Sequence, residues 1–317
     1  MLIISLFYLI IEVSAFQSDY SMVVTYGAPT TSWDPITISA DSWDTCVRIC
    51  YLDTYCVMAH QTPAFCHHYQ IGKVFAAERL TAEDQSLIAI KGNKSSSVAC
   101  QSQLESIDQT VYIKNASLPQ VSMSYKLTLS GNTFTMAYTI TGLCTSGQVF
   151  FRPTATYCIQ VVTDYSKNAT YNASIEACLE INENSTLAGL ESLEEKAWVT
   201  DQVNASINLE KTYSTIGIWI SGQRKIECPD SNDSSKPECA GLKAFNFSDQ
   251  YLTSKGGYQW APGQPNSNSS RTQNCLQLQV TKNESDPNYG LVDDTYCSDG
   301  ATRDGYAMRG YVCGWAV

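Results

Sequence analysis

A chain of 317 residues has room for two domains of ordinary size, and with 44% apolar and 16% charged residues it can bury a core, which excludes wholesale disorder. A formal net charge of −11, with no cluster of Lys and Arg along the chain, excludes a nucleic-acid partner, because phosphate binding needs concentrated positive charge. Thirteen cysteines belong to an oxidising compartment rather than the cytosol.

Leu2–Ile11 is a short run, apolar but for Ser5, followed by Val13-Ser14-Ala15 with small residues where a signal peptidase needs them. Residues 1–15 therefore read as a signal peptide cleaved after Ala15. The run is too short for the roughly 20 residues that span a bilayer, and no later segment approaches that length, so no membrane span is expected. Asn-x-Ser/Thr occurs at Asn93, Asn115, Asn168, Asn172, Asn184, Asn204, Asn232, Asn246, Asn268 and Asn283. These acceptors fit an extracellular, secreted glycoprotein and predict that the segments carrying them are solvent-exposed.

The cysteines fall into two groups, five between Cys46 and Cys100 and eight between Cys144 and Cys313. In the first group Ser42 is placed to cap a helix on which Cys46 and Cys50 share one face. Cys56-Val57-Met58-Ala59 and Cys66-His67-His68-Tyr69 read as short strands. A helix over two strands would pair Cys46 with Cys66 and Cys50 with Cys56, although spacing alone leaves the connectivity open. His60, His67 and His68 do not fall at zinc-ligand spacings. Cys100 is left over, as a buried free thiol or as the bridge of a homodimer.

Residues 101–140 separate the groups and are expected to form a linker. Within it, Tyr125–Ile140 alternates around Gly131-Asn132 and predicts a hairpin whose domain is not specified. Beyond, Tyr171, Ile175, Cys178 and Leu179 form one stripe of a helix over 169–181. Ser192-Leu193-Glu194-Glu195 is a capping-box pattern opening a second helix, with Leu193, Ala197 and Trp198 inward. Ile216–Ile220 is a buried strand, Cys228–Gly257 reads as loop, Cys275–Val280 alternates as a half-buried strand, and short strands follow at Tyr289–Val292 and Gly310–Cys313. Two helices followed by several strands make an α+β domain.

The first region, through Tyr26-Gly27-x-Pro29, Ser42-Trp43-Asp44-x-Cys46-x3-Cys50, Cys56-x2-Ala59, Cys66-x2-Tyr69 and Ala89-Ile90-Lys91, resembles the PAN-like CW domain at the front of nematode secreted lectin-like proteins. It implies a PAN/apple-like helix-on-sheet module over 16–100 that binds proteins or glycans. The second, through Ala177-Cys178, Leu187-Ala188-x-Leu190, Ile218-Trp219-Ile220-Ser221-Gly222, Trp260-x2-Gly263-Gln264-Pro265-Asn266, Asn274-Cys275 and Asp293-Asp294-x2-Cys297, resembles a C-type lectin-like domain over 141–317, with a long ligand loop. The whole is thus expected to be α+β, with two disulfide-rich domains. The second resemblance implies disulfides Cys144–Cys158, Cys178–Cys313 and Cys275–Cys297, and leaves Cys228 and Cys239 to each other.

In sugar-binding relatives of that kind a calcium ion sits in the long loop. Carried over position by position, its ligands here are Gln264, Asn266, Gln273, Asp293 and Asp294, with Pro265 expected cis. Calcium takes about six to eight oxygens, and the same side chains can bond sugar hydroxyls. The resemblance thus implies a lectin-like protein that binds glycans or a glycoprotein surface with calcium as its cofactor; the alternative is the same fold binding a protein without calcium. No nucleophile elbow, zinc-protease helix or phosphate loop occurs, so no enzyme is expected.

Overall fold

The computed structural model describes residues 20–94, 106–114, 120–229, 236–267, 273–298 and 306–317. The expected signal peptide 1–15, Cys100, Asn115, Asn232 and Asn268 lie outside the described residues. The chain divides into two compact units, the first taking in Met123–Tyr138 and the second Thr139–Val317, so that the last residues of one strand of the first unit's sheet, Thr139–Thr141, are counted with the second.

The first unit contains β1 (Tyr20–Ser32), β2 (Ile36–Ile38), α1 (Trp43–Leu52), β3 (Cys56–Gln61), β4 (Cys66–Gln70), β5 (Val74–Arg79), β6 (Leu87–Asn93), β7 (Ile107–Ile113), β8 (Ser122–Ser130) and β9 (Thr133–Thr141). These strands form a nine-stranded sheet in the order β2-β4-β3-β6-β1-β5-β9-β8-β7. Ser42 caps α1 by accepting from the Thr45 N–H at 3.2 Å. Cys46 and Cys50, one turn apart and buried, are bonded to Cys66 at the start of β4 and Cys56 at the start of β3. His68 Nε2 lies 2.9 Å from the Cys46 carbonyl. Although His68 approaches both Cys46 and Cys66, their sulfurs are joined to each other and offer no thiolate to a metal.

The expected linker is corrected by this sheet. Its hairpin turns at Gly131, whose φ of +59° suits glycine, and β9 pairs with β5 in the register Ala77 to Phe134. Leu127, Leu129, Phe134 and Met136 are buried, as the alternation requires. Tyr138 donates from its hydroxyl to the Val74 carbonyl at 2.6 Å and meets Phe75 edge-on at 5.5 Å. An apolar hairpin face has to be covered, and the open edge of β5 supplies both a core and backbone partners.

The second unit contains β10 (Gln148–Phe151), β11 (Thr156–Thr163), α2 (Tyr171–Ile181), β12 (Thr186–Leu187), α3 (Leu193–Asn204), β13 (Thr215–Arg224), β14 (Phe245–Asn246), β15 (Cys275–Thr281), β16 (Leu291–Thr295) and β17 (Ala307–Ala316). The sheet order is β10-β11-β17-β13-β15-β16, with β12 against β17 and β14 against β13. Only the β13–β17 pair among these is parallel. Val199 and Val203 of α3 pack with Ile216, Ile218 and Ile220 of β13, while Tyr171 and Cys178 of α2 pack with Trp219. Alternation along β13 thus serves one core on each face of the sheet. Disulfides join Cys144 to Cys158, Cys178 to Cys313, Cys228 to Cys239 and Cys275 to Cys297.

Both helices differ in detail from the sequence reading. Leu179 of α2 is 51% exposed, and Ser174 takes an inward place, donating its hydroxyl to the Thr170 carbonyl at 2.8 Å. On α3, Leu193 is 53% exposed and the buried residues are Glu195, Val199, Thr200 and Val203. The cause is Glu195. Its N–H donates to Ser192 Oγ at 3.1 Å, but its carboxylate turns inward to Arg152 instead of completing the capping box.

Candidate ligand site in the long loop

Strand β13 sends Ile216, Ile218 and Ile220 into one core, and Arg224 falls in phase with them. A guanidinium in such a position needs paired acceptors. Arg224 Nη2 donates to Asp294 Oδ2, and Nε donates to the Gln273 carbonyl at 3.0 Å. The guanidinium carbon lies 4.5 Å from the centre of the Phe245 ring, which β14 holds directly across from Arg224. Each neighbour thus contributes a different part of the cation's solvation: an ion pair, a carbonyl and an aromatic face.

Asp294, on β16, has a side-chain exposure of 0%. Beside the bond from Arg224, its Oδ1 accepts the Asn266 N–H at 3.0 Å and its Oδ2 the Ser267 N–H at 2.9 Å. Burial pushes this carboxyl up from its ordinary value; the Asn266 N–H, the Arg224 charge and the Ser267 N–H pull the other way. Asp293 is the next residue on the strand and faces the opposite side. Its Oδ2 accepts from Gln279 Nε2 at 2.7 Å and from Gln277 Nε2 at 3.4 Å. Gln277 also donates to the Tyr306 hydroxyl at 2.7 Å.

Gln264 and Gln273 flank the loop, and the Gln264–Pro265 peptide is cis. Gln264 Oε1 and Gln273 Oε1 are both buried with no hydrogen-bond partner among the described residues. Asn266 is exposed and reaches the cluster through its backbone N–H. The five residues expected to surround calcium therefore do not fit the ion as a set. The two carboxylates lie on opposite faces of β16, and a guanidinium fixed by the chain already stands against Asp294. A second cation there would meet like charge in a buried space. Arg224 was missed by motif reading, although its signal was present: a basic residue in step with three core isoleucines.

Residues 151–316 match the C-type lectin domain-containing protein 141/158 family, and residues 22–92 match the PAN-like domain. The chain belongs to the C-type lectin domain-containing protein 141/158 family. No curated protein sequence matches it. Among solved structures, ovocleidin-17, a major protein of the Gallus gallus eggshell calcified layer, is similar at 15% identity and a TM-score of 0.32, covering 50% of this chain and 91% of its own. EMS16, an antagonist of the collagen receptor integrin α2β1, is similar at 16% identity and a TM-score of 0.29, covering 51% and 92% respectively. A human regenerating gene type IV protein is similar at 12% identity and a TM-score of 0.28, covering 53% and 95%. Identities this low bring no ligand or partner across.

In this C-type lectin domain a second buried guanidinium anchors the start of the loop. Arg152 Nε and Nη2 donate to the two carboxylate oxygens of Glu195 at 2.8 and 2.9 Å, and Nη1 donates to Asp249 at 2.8 Å. The remaining Nη2 bond goes to the Gly189 carbonyl at 3.0 Å, and the Tyr157 ring centre lies 3.7 Å from the guanidinium carbon. Glu191, close by, accepts the N–H groups of Thr253, Ser254 and Lys255 at 2.8, 2.9 and 3.3 Å. Fixed charges thus hold the loop between Asp249 and Lys255 from beneath.

Proposed function

We propose that this chain is a secreted recognition protein whose C-type lectin domain engages glycans or a glycoprotein surface without calcium at the Asp294 position. The lectin-like fold supports a recognition role. The observation that carries the calcium-free reading is the Arg224–Asp294 pair, which ties β13, the Asn266–Ser267 turn and Gln273 together. The six disulfides and the absence, among the described residues, of a helix long and apolar enough to cross a membrane support secretion. Of the described sequon residues, Asn93, Asn168, Asn172, Asn184, Asn246 and Asn283 are exposed, and Asn204 is half-buried. Domains of this family are generally non-enzymatic, and the function proposed is binding without turnover.

Thermal unfolding of the full chain in EDTA and in 10 mM calcium, roughly 100 times the Kd of a weak extracellular site, tests this. An occupied site would stabilise by about 2.7 kcal/mol, or on the order of 5–10 °C in a domain of this size. The expected shift is under about 1 °C. A shift of several degrees that disappears in Gln273→Ala, which leaves the Arg224–Asp294 pair in place, would refute the reading. Glycan-array binding in EDTA supplies the ligand arm.

A further inference from the structure

A cavity of about 620 Å³ opens beside this loop, lined in part by Phe245 at the margin of the core. Its apolar surface comes from Leu242, Phe245 and Phe247, and its rim carries Lys225, Lys243 and Lys255 against one acid, Glu238. Phe245 is braced by Trp260 at 6.0 Å, and Phe247 by Tyr258 edge-on at 5.4 Å. Lys225 is set by the strand pairing at Arg224 and its own N–H bond to the Ala244 carbonyl at 2.8 Å. Lys255 sits at φ +55°, held there by the Glu191 carboxylate, with its ammonium 5.1 Å from the Phe247 ring centre.

Positive charge is scarce in this protein, which has 20 Lys and Arg against 31 Asp and Glu. Three lysines nevertheless converge on one aromatic recess. None of their ammonium groups has a hydrogen bond or ion pair among the described residues, and Lys225 and Lys255 are half-buried. We propose that this recess is a binding site for an anionic saccharide, with one sugar face stacked on Phe247 and its sulfate or carboxylate groups held by Lys225, Lys243 and Lys255. The volume lies within the roughly 300–1,000 Å³ of small-ligand sites. Flat aromatic faces suit the C–H face of a sugar ring, and ammonium point charges suit oxyanions without needing a fixed fork. The site deepens the calcium-free recognition reading and rests on it, because its cations are lysines carried by the chain.

The test is calorimetry on the full chain in EDTA with a sulfated heparin-derived hexasaccharide, a hexasaccharide carrying only uronate carboxylates, the desulfated neutral form, and a poly-glutamate peptide. Binding of at least one anionic hexasaccharide is expected, weakening as salt rises, with none to the neutral form. Lys225→Ala/Lys243→Ala/Lys255→Ala is expected to weaken it about tenfold, while Lys126→Ala/Lys167→Ala, two lysines that do not line the recess and are paired with Asp108 and Asp164, leaves it unchanged. Lys243→Glu, at the exposed rim position, gives the same direction in a single change should the triple variant fold poorly. Absence of binding to both anionic hexasaccharides, equal weakening in the Lys126/Lys167 control, or equal affinity for poly-glutamate would each overturn the assignment. If binding needs added calcium, the calcium-free reading fails on its own; the lysine variants measured in calcium still decide this recess.

Discussion

Replacing Arg224 by Met probes the proposed lectin loop where its energetics are most concentrated. The substitution removes the Nη2 bond to Asp294 and the Nε bond to the Gln273 carbonyl, and leaves the carboxylate fully buried. Breaking a buried pair by removing one partner costs about 3–5 kcal/mol, and loss of the contact over Phe245 adds about 1. The Asn266 and Ser267 N–H groups stay on Asp294 and hold part of its charge. The expected loss is therefore about 4 kcal/mol, or on the order of 8–16 °C in melting temperature for a unit of this size.

Asp294→Leu alone is expected to cost a similar amount, because it strands the guanidinium. The double variant Arg224→Met/Asp294→Leu removes both charges and should lie within about 2 kcal/mol of the parent, since apolar replacement of a buried pair is often near neutral. Denaturant unfolding of the full chain, followed by tryptophan fluorescence, gives the cycle; Trp198, Trp219, Trp260 and Trp315 report on the lectin unit. Two outcomes would refute the reasoning: single-variant losses under about 1 kcal/mol, or losses that simply add in the double variant. Either means that Arg224 does not hold Asp294.

Arg152→Met leaves Glu195 and Asp249 buried without their shared cation, and a loss of about 5 kcal/mol with a low yield of folded protein is expected. Arg152→Lys should recover only part of it, because the three N–H donors on one nitrogen cannot reproduce the guanidinium's four bonds and its bidentate fork to Glu195; a melting temperature equal to the parent's would count against the network. In the first unit, burial and then the neighbouring His67 push His60 down from 6.5 to about 4. The folded state therefore binds fewer protons than the unfolded one across this window. Stability that His60 contributes above pH 6.5 is lost as the pH falls toward 4. The full shift corresponds to about 3 kcal/mol, reduced to on the order of 1–2 by solvent screening. The loss measured by denaturant titration should flatten in His60→Gln, and an unchanged slope would assign it to other groups.

The two-unit α+β architecture was legible because cysteine spacing and hydrophobic period act locally and agree with one another. Alternation around Gly131 predicted the hairpin; its owner was not legible, because the free edge of β5 is a tertiary fact. The α3 face was misread for a related reason. Leu193 looks like an inward residue by type, yet Arg152, 43 residues upstream of Glu195, turns a carboxylate inward instead. Long-range ion pairs leave no local period behind. What they do leave is a charged residue in step with core positions, and Arg224 follows Ile216, Ile218 and Ile220 in this way.

The loop residues show how far a motif reaches. Asn266 and Asp294 meet through a backbone N–H, but a motif says nothing of which way Asp293 turns or what lies opposite Asp294. That opposite group has a thermodynamic consequence. A loop held by a bound ion is stabilised in proportion to the logarithm of the ion's concentration once the site is filled, and it loosens when the ion is removed. A loop held by Arg224 has its cation attached by the backbone, at unit occupancy and at no cost in ion capture. On the proposed reading this loop keeps its shape across calcium concentrations that would open and close a metal-held one, and its ligand is recognised on a surface that does not switch.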